Sequence, residues 1–458
     1  MKEHLLSPTP VSATCITSGR LPFGFGRRFL LLLLLGLLWS LPAFWNPRFL
    51  LVMLAWDVMA LIAWLVDLSR LPKAGQLVVE RKWSAPASLR NETKIDLGLT
   101  NNSSSSLHCL LLDDVPVSLH SAPPEMNLGV PPRSAASTSY AVRPLQRGDL
   151  QIGSVYLRYQ SPARFAERWA KADLSQQVRI YPDLEEAKRH NLYLTRARQI
   201  ELERRLVRQR GTGREFESLR DYQQGDEFRD ICWTATARRG KHVTKLYEVE
   251  RSQAVWIVVD AGRLLRTRVG ELSKLDLSVN AALTLAQLAL YSGDKVGVLV
   301  YGRKSQSRVS LGRGLPHMRA ILETLAIAHD ESSEADHLRA ASILLQSQKR
   351  RSLIVWITDL AETSMTPEVI ESASQMLSRH VLLFIVIAQT DLQAMANRRP
   401  ANATEMYETI AAQEMMNRRE VLLARVHNRG ALALEVSPRR LTSTLVNQYL
   451  EIKERNLI

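Results

Sequence analysis

Two unbroken apolar runs near the N-terminus limit what this chain can be. Residues 29–45 read FLLLLLLGLLWSLPAFW and residues 49–66 read FLLVMLAWDVMALIAWLV, with Asn46, Pro47 and Arg48 between them. Runs of this length stand at the short end of what crosses ~30 Å of hydrocarbon as a helix. The spacing predicts a transmembrane helical hairpin, 29–45 and 49–66, behind an N-terminal segment 1–28. A secretory signal peptide fits less well, because no small-x-small cleavage site follows the first run and a second run comes at once. Arg20, Arg27 and Arg28 precede the pair, Arg70, Lys73, Arg81 and Lys82 follow it, and Arg48 stands alone in the turn. By the positive-inside rule this predicts a multi-pass protein of the plasma (inner) membrane with both termini cytoplasmic. Asp57 is costly in such a span. It is read as hydrogen-bonded to the other helix, with Ser40 as candidate, rather than as part of a transport path.

Beyond the hairpin the periodicity changes. From 74 to 182 short alternating runs, such as Ile95, Leu97 and Leu99, are separated by Pro- and Ser-rich breaks, the spacing of a small all-β sandwich. Arg147-Gly148-Asp149 lies between two such runs and reads as a turn rather than an adhesion motif. Residues 183–210 form a charged connector, expected to be helical. From 251 to 458, AVWIVVD (254–260), KVGVLVYG (295–302), SLIVWITD (352–359), HVLLFIVIA (380–388) and ALALEVS (431–437) alternate with helical stretches such as 273–291. This is the signature of an α/β domain with a mostly parallel sheet covered on both faces.

Composition removes several function classes. With 46% hydrophobic and 23% charged residues the chain is not wholly disordered. Its net charge of +14 suits nucleic acid, an anionic membrane or an acidic protein, and does not choose among them. Cys15, Cys109 and Cys232 are too few and too scattered for a disulfide framework or a cysteine-rich zinc site. Gly297 to Gly302, followed by Arg303-Lys304-Ser305, imitates a phosphate loop. Its first glycine falls inside a strand, however, so a strand running into a hairpin is expected. No serine-hydrolase elbow or zinc-protease motif appears.

The densest stretch is 211–250. Arg214, Arg220, Arg229, Arg238 and Arg239 alternate with Glu215, Asp221, Asp226, Glu227 and Asp230, while Phe216, Leu219, Tyr222, Ile231, Trp233 and Tyr247 offer apolar anchors. Guanidinium forks suit fixed pairs with carboxylates, so the mixture reads as a structural clamp with Trp233 buried in it. Gly213, Glu215, Phe216, Leu219, Arg220, Tyr222, Gly225, Asp226, Arg229, Ile231, Trp233, Ala237, Arg238, Val243, Tyr247 and Glu250 together form a pattern that resembles the bacterial family called domain of unknown function fifty-eight. Cys232 departs from it, standing where the family usually has Asp.

The resemblance implies a membrane hairpin, a β domain, the signature stretch and a von Willebrand factor A-like, Rossmann-like domain. It also implies a MoxR-type AAA+ ATPase as partner. The A-domain ion site would use D-x-S-x-S, a Thr and a later Asp, oxygen ligands that suit a hard cation. Here only Asp260 and Asp359 stand at ligand positions, and Arg263 brings a cation close. The site reads as degenerate, with no cofactor, Mg²⁺ disfavoured, and an Asp260–Arg263 ion pair expected in place of a metal. The expected function is a non-enzymatic, membrane-anchored protein-interaction module working with such an ATPase on client complexes. Readings of other classes stay open: a hydrolytic enzyme with a dispersed acidic site, or a nucleic-acid binder using the basic connector, which salt-sensitive retention on DNA would mark.

Overall fold

Strict alternation builds the first half of the protein. In Leu77–Trp83, Thr93–Asn101 and Leu107–Asp113 every second residue is buried, the period of strands with one face in a core. The structure, a computed structural model, describes residues 8–19, 22–183, 215–223, 226, 228–248, 253–360, 366–455 and 457. The expected connector therefore lies outside the described residues apart from Asp183, as do Gly213, Gly225 and Glu250 of the signature. The chain forms two units, Met1–Asp183 and Leu184–Ile458.

The first unit holds two larger antiparallel sheets and a two-stranded one. One runs in the order Val11–Thr14, Leu77–Trp83, Thr93–Asn101, Ser134–Val142. In the other, Ile16–Thr17 and Phe23–Phe25 both pair with Ala166–Ala172, followed by Val155–Gln160, Leu107–Asp113 and Glu125–Val130. Leu77, Val79, Leu97 and Leu99 from the first and Leu107, Leu111, Leu157 and Ala170 from the second share one core. Gly148–Ile152 pairs separately with Gln176–Ile180, and Asp149 of the Arg-Gly-Asp tripeptide is held by Arg179 at 2.6 Å. That tripeptide thus opens a strand.

A buried ion pair pins the two sheets. Arg81 and Asp113 are both fully buried and paired. Arg81 Nε donates to Asp113 Oδ2 at 3.1 Å, while its Nη atoms donate to the carbonyls of Leu174 (2.8 Å) and Gly153 (3.0 Å). Tyr140 donates its hydroxyl to Asp113 Oδ2 at 2.7 Å, and burial, then the adjacent carboxylate, push that phenol above its ordinary range.

The apolar runs form helices Arg27–Leu37, Ser40–Ala43 and Arg48–Arg70. The first run breaks because Pro42 has no N–H to bond the Leu38 carbonyl and its ring crowds that carbonyl. The Arg27–Leu37 helix, 11 residues, is about 16 Å long at ~1.5 Å per residue. Among the described residues only Arg48–Arg70, with 23 residues, is long and apolar enough to cross a membrane. The helices approach closely at Gly36, where a Cβ would lie 2.6 Å from the Trp56 ring and 2.8 Å from Asp57 Oδ1. Trp56 Nε1 donates to the Leu32 carbonyl at 2.9 Å. Asp57 therefore lies against Gly36, and no hydrogen bond joins it to Ser40 among the described residues.

Residues 11–25, expected as part of a separate N-terminal segment, instead supply three strands of the β unit. Both chain ends of the apolar helices are thereby fixed to one body. Asp67 reinforces this: its carboxylate accepts from the Ser161 hydroxyl and from the backbone N–H groups of Phe165 (3.0 Å) and Ala166 (2.9 Å). Phe23, Phe25 and Phe29 pack around Trp64.

The second unit is built on strands that read as continuous apolar runs, and Ala254–Asp260, Lys295–Tyr301, Leu353–Thr358 and Val381–Ile387 are buried almost throughout. The sheet order is Ser305–Gly312, Lys295–Tyr301, Ala254–Asp260, Leu353–Thr358, Val381–Ile387, Leu432–Val436, parallel except for Ser305–Gly312. That antiparallel edge strand has no apolar run to announce it, since its sequence is SQSRVSLG. Gly302 leads into it, so the phosphate-loop imitation is a strand and hairpin. Ser273 and Asp276 form a reciprocal capping box at the start of the Lys274–Tyr291 helix.

Replacing Arg81 by Met leaves Asp113 buried and uncompensated, and should destabilise the protein by about 3–5 kcal/mol. Arg81→Met/Asp113→Leu should recover part of that loss, as read by thermal unfolding of the purified chain.

Candidate functional site

The strand order reverses at Ala254–Asp260, whose sequence neighbours lie to one side and Leu353–Thr358 to the other. Open α/β sheets place their ligands at the carboxyl ends of strands at such a switch point. Here those ends carry Asp260, Thr358 and Asp359, all buried. Asp260 Oδ1 accepts from the Gly262 backbone N–H at 2.7 Å and Oδ2 accepts from the Thr358 hydroxyl at 2.6 Å. Burial raises the Asp260 carboxyl to about 7, opposed by the bonds from Thr358 and Gly262 and assisted by Asp359 and Glu331.

Asp359 is held by two buried cations. Lys274 Nζ bonds its Oδ2 at 2.6 Å, and Arg419 Nη1 bonds its Oδ1 at 2.8 Å. Arg419, on the Ala403–Asn428 helix, also donates to the carbonyls of Leu360 (2.6 Å) and Ile387 and pairs with Glu435 at 2.7 Å. Arg263, expected beside Asp260, points elsewhere: it is exposed and pairs with Glu334 at 3.1 Å. The expected Asp260–Arg263 pair is therefore replaced by Lys274 and Arg419 on Asp359. This donor set does not fit a divalent ion, which would have to displace two buried cations and then complete an oxygen shell without the serine hydroxyls. Asp336, the residue before the His337–Ser347 helix, caps it by accepting from Arg339 N at 2.8 Å.

Beneath this rim lies a polar chain inside the core. Trp356 Nε1 donates to the Tyr301 hydroxyl at 2.7 Å, and that hydroxyl bonds His337 Nδ1 at 2.8 Å. Burial lowers His337 to about 4, so it is neutral at physiological pH. Lys274, Thr358, Arg419, Tyr301 and His337 were not among the sequence candidates. The one local hint was Lys274, since a cation at a helix N-terminus opposes the macrodipole and needs a reason to be there.

The signature stretch folds as a hairpin of Glu215–Asp221 and Val243–Glu248, with the Phe228–Asp230 turn and the Trp233–Arg239 helix in its loop. Part of the expected ion-pair network is present. Arg220 Nη2 meets Asp226 Oδ1 at 2.6 Å, Gln223 N donates to Asp226 Oδ2 at 2.9 Å, and the Tyr222 hydroxyl donates to the Asp226 carbonyl at 3.4 Å. Cys232 occupies the N-cap of the short helix and Gly240, at φ 66°, its C-cap. Trp233 corrects the expectation of a buried anchor, for it is 64% exposed, and Phe228 is 76% exposed. Arg229 and Arg238 are also on the surface. The side chains of Glu215, Phe216 and Tyr247 lie outside what the structure describes.

Residues 218–398 match the family described as protein of unknown function DUF58, a span running from the signature hairpin well into the parallel sheet. An uncharacterised protein of Mycobacterium tuberculosis is 29% identical over 151 residues, covering 32% of this chain and 48% of the relative. Uncharacterised protein YeaD of Bacillus subtilis is 28% identical over 117 residues, covering 26% and 27%. The chain thus spans less than half the length of these relatives. The crystal structure of conserved hypothetical protein BatB from Bacteroides thetaiotaomicron is matched over 44% of this chain and 100% of that one, with TM-score 0.30 and 13% identity.

Lys274→Met and Arg419→Met should each destabilise the protein by about 3–5 kcal/mol by stranding one side of Asp359, a loss readable by chemical denaturation. Asp260 gives a pH-dependent signature. Its carboxyl sits at about 7 in the fold against an ordinary 3.8, so folding takes up a proton between those values. Stability fully present below pH 3.8 is lost as pH rises through 7. His337, lowered to about 4, acts oppositely over much the same window. The difference between variants, rather than the wild-type curve, therefore reports Asp260. Asp260→Asn should match wild type near pH 4 and exceed it at pH 8 by on the order of 2–4 kcal/mol, measured by thermal melts across that range.

Proposed function

We propose that this protein is a membrane-anchored, non-enzymatic protein-interaction module whose signature hairpin is the recognition surface and whose partner is a MoxR-type AAA+ ATPase acting on client complexes. The observation that carries the reading is the exposure of Phe228 and Trp233 in a stretch also rich in arginine. Aromatic and arginine side chains dominate the energetics of protein interfaces. The sheet-end crevice supports the same reading, because Asp359 is already neutralised by Lys274 and Arg419 rather than left facing a substrate. In this reading the parallel-sheet unit is a von Willebrand factor A-like module in which internal salt bridges have taken the place of the ion. The ATPase itself is the partner that the family resemblance implies.

The anchoring part rests on connectivity. Strands 11–14 and 23–25 precede the apolar helices, strands 77–83 and 166–172 follow them, and all belong to the same β unit. A single crossing would separate strands that are hydrogen-bonded to each other. If Arg48–Arg70 spans the bilayer, residues 27–47 must therefore return the chain to the same side. With Arg27, Arg28, Arg70 and Lys73 at the flanks, that side is the cytoplasm, and the β unit is the sandwich expected beneath the hairpin.

Trp233→Ala should leave stability within about 0.5 kcal/mol of wild type, as for an ordinary surface position. It should abolish nucleotide-dependent co-purification of an AAA+ ATPase from native membranes. A loss of about 3–5 kcal/mol, the cost of emptying a buried aromatic site, would instead restore the structural-clamp reading.

A further inference from the structure

Beside the residues that follow the Arg48–Arg70 helix the β unit holds an open pocket of about 360 Å³. Its apolar wall comes from Ile16, Pro22 and Trp169, and its cationic side from Lys73 and Arg168. Arg168 donates to the carbonyls of Leu68 (3.2 Å) and Pro72 (3.3 Å), which fixes the guanidinium at the helix end. The Tyr159 hydroxyl is a further partner of this guanidinium, so at most two of its five N–H groups remain for a ligand. Tyr159, the phenol of the lining, is committed to the Pro72 carbonyl at 2.9 Å. Among the described residues no carboxylate pairs with Lys73 or Arg168, and the neighbouring Glu167 is engaged by Arg158 at 2.6 Å. The pocket therefore presents two uncompensated positive charges beside apolar surface. Ile16 is 60% and Trp169 40% exposed at its rim, and Phe23 and Phe25 continue the apolar band toward Trp64.

We infer that this pocket binds the headgroup of an anionic phospholipid, with Lys73 and Arg168 on the phosphodiester and the Ile16–Trp169 wall against the glycerol and first methylenes. The inference rests on the membrane-anchored reading above. Charge complementarity chooses the class: a phosphodiester anion matches a guanidinium fork and an ammonium, and aromatic side chains suit the interfacial depth at which the helix ends. A zwitterionic lipid would bring a choline against the same two cations. One bound lipid would also tie Lys73, just past the helix, to Arg168, which fastens that helix to the sheet.

The test is native mass spectrometry of the full-length chain, released from neutral detergent micelles holding equal amounts of phosphatidylglycerol and phosphatidylcholine. The expected result is one retained phosphatidylglycerol per chain, falling about tenfold or more in Lys73→Glu and unchanged in Lys94→Glu, an exposed lysine elsewhere in the β unit. Lys73→Gln, which keeps most of the stem, should show an intermediate loss and serves if the charge reversal disturbs folding. Equal retention of the two lipids, or wild-type retention by both Lys73 variants, overturns the proposal. Excess inorganic phosphate should leave the lipid bound; if it displaces the lipid, the site is one for free phosphate and the lipid assignment fails. Alkaline carbonate extraction separates the two levels. Release of the wild-type protein from membranes would defeat the anchoring itself, whereas retention in the pellet without lipid selectivity would defeat the pocket alone.

Discussion

The second unit depends on Asp359. Its two oxygens are held by Lys274, from the first residue of one helix, and by Arg419, from the middle of another, and Arg419 extends the connection to the ends of Val381–Ile387 and Leu432–Val436. A single buried carboxylate thus fixes two helices to three strands. Burying an unpaired charge costs several kcal/mol, so the carboxylate and its two cations are retained or lost together. The neighbouring Asp260 takes the other solution open to a buried acid. It has two neutral donors and no cation, and its carboxyl is pushed up to about 7.

The first unit solves the same problem with Arg81 and Asp113, and adds a constraint of connectivity. Strands from before the apolar helices pair with strands from after them, and Asp67 ties the last turn of the long helix to the backbone of Phe165 and Ala166. Hydrogen bonds that cross the helical segment in this way make both of its ends part of one rigid body. The apolar helices are joined to the β unit at both ends, and many of their Leu, Val and Phe side chains are exposed.

The signature hairpin divides into two kinds of residue. Arg220, Tyr222 and Asp226 organise its turn, while Phe228 and Trp233 face outward. A sequence pattern records both kinds with equal strength, because a residue's exposure is not written in one dimension. Burial separates them. Trp233 was expected inside as an apolar anchor of the clamp, since large apolar side chains usually are buried, and it stands exposed at the start of the Trp233–Arg239 helix instead.

Much of the fold was legible in the residues themselves. The runs at 254–260, 352–359 and 380–388 announced a parallel sheet because strands buried on both faces must be apolar throughout, and the alternation of Ile95, Leu97 and Leu99 announced the half-buried sheets of the first unit. The candidate acids Asp260 and Asp359 came from the ion-site positions that the family resemblance implies, at the ends of two of these strands. What surrounds them was not legible: Arg419 lies 60 residues from Asp359 in sequence and Lys274 lies 85 away, and no local pattern encodes those pairings. Strands 11–25 escaped for the same reason, since short edge strands carry little hydrophobic period and take their register from partners about 65 to 150 residues distant. Local sequence determined which segments would be strands or helices, because that choice follows from side-chain periodicity. Tertiary structure alone decided which charges meet, because burying a charge is settled by whichever opposite charge the folded chain brings within reach.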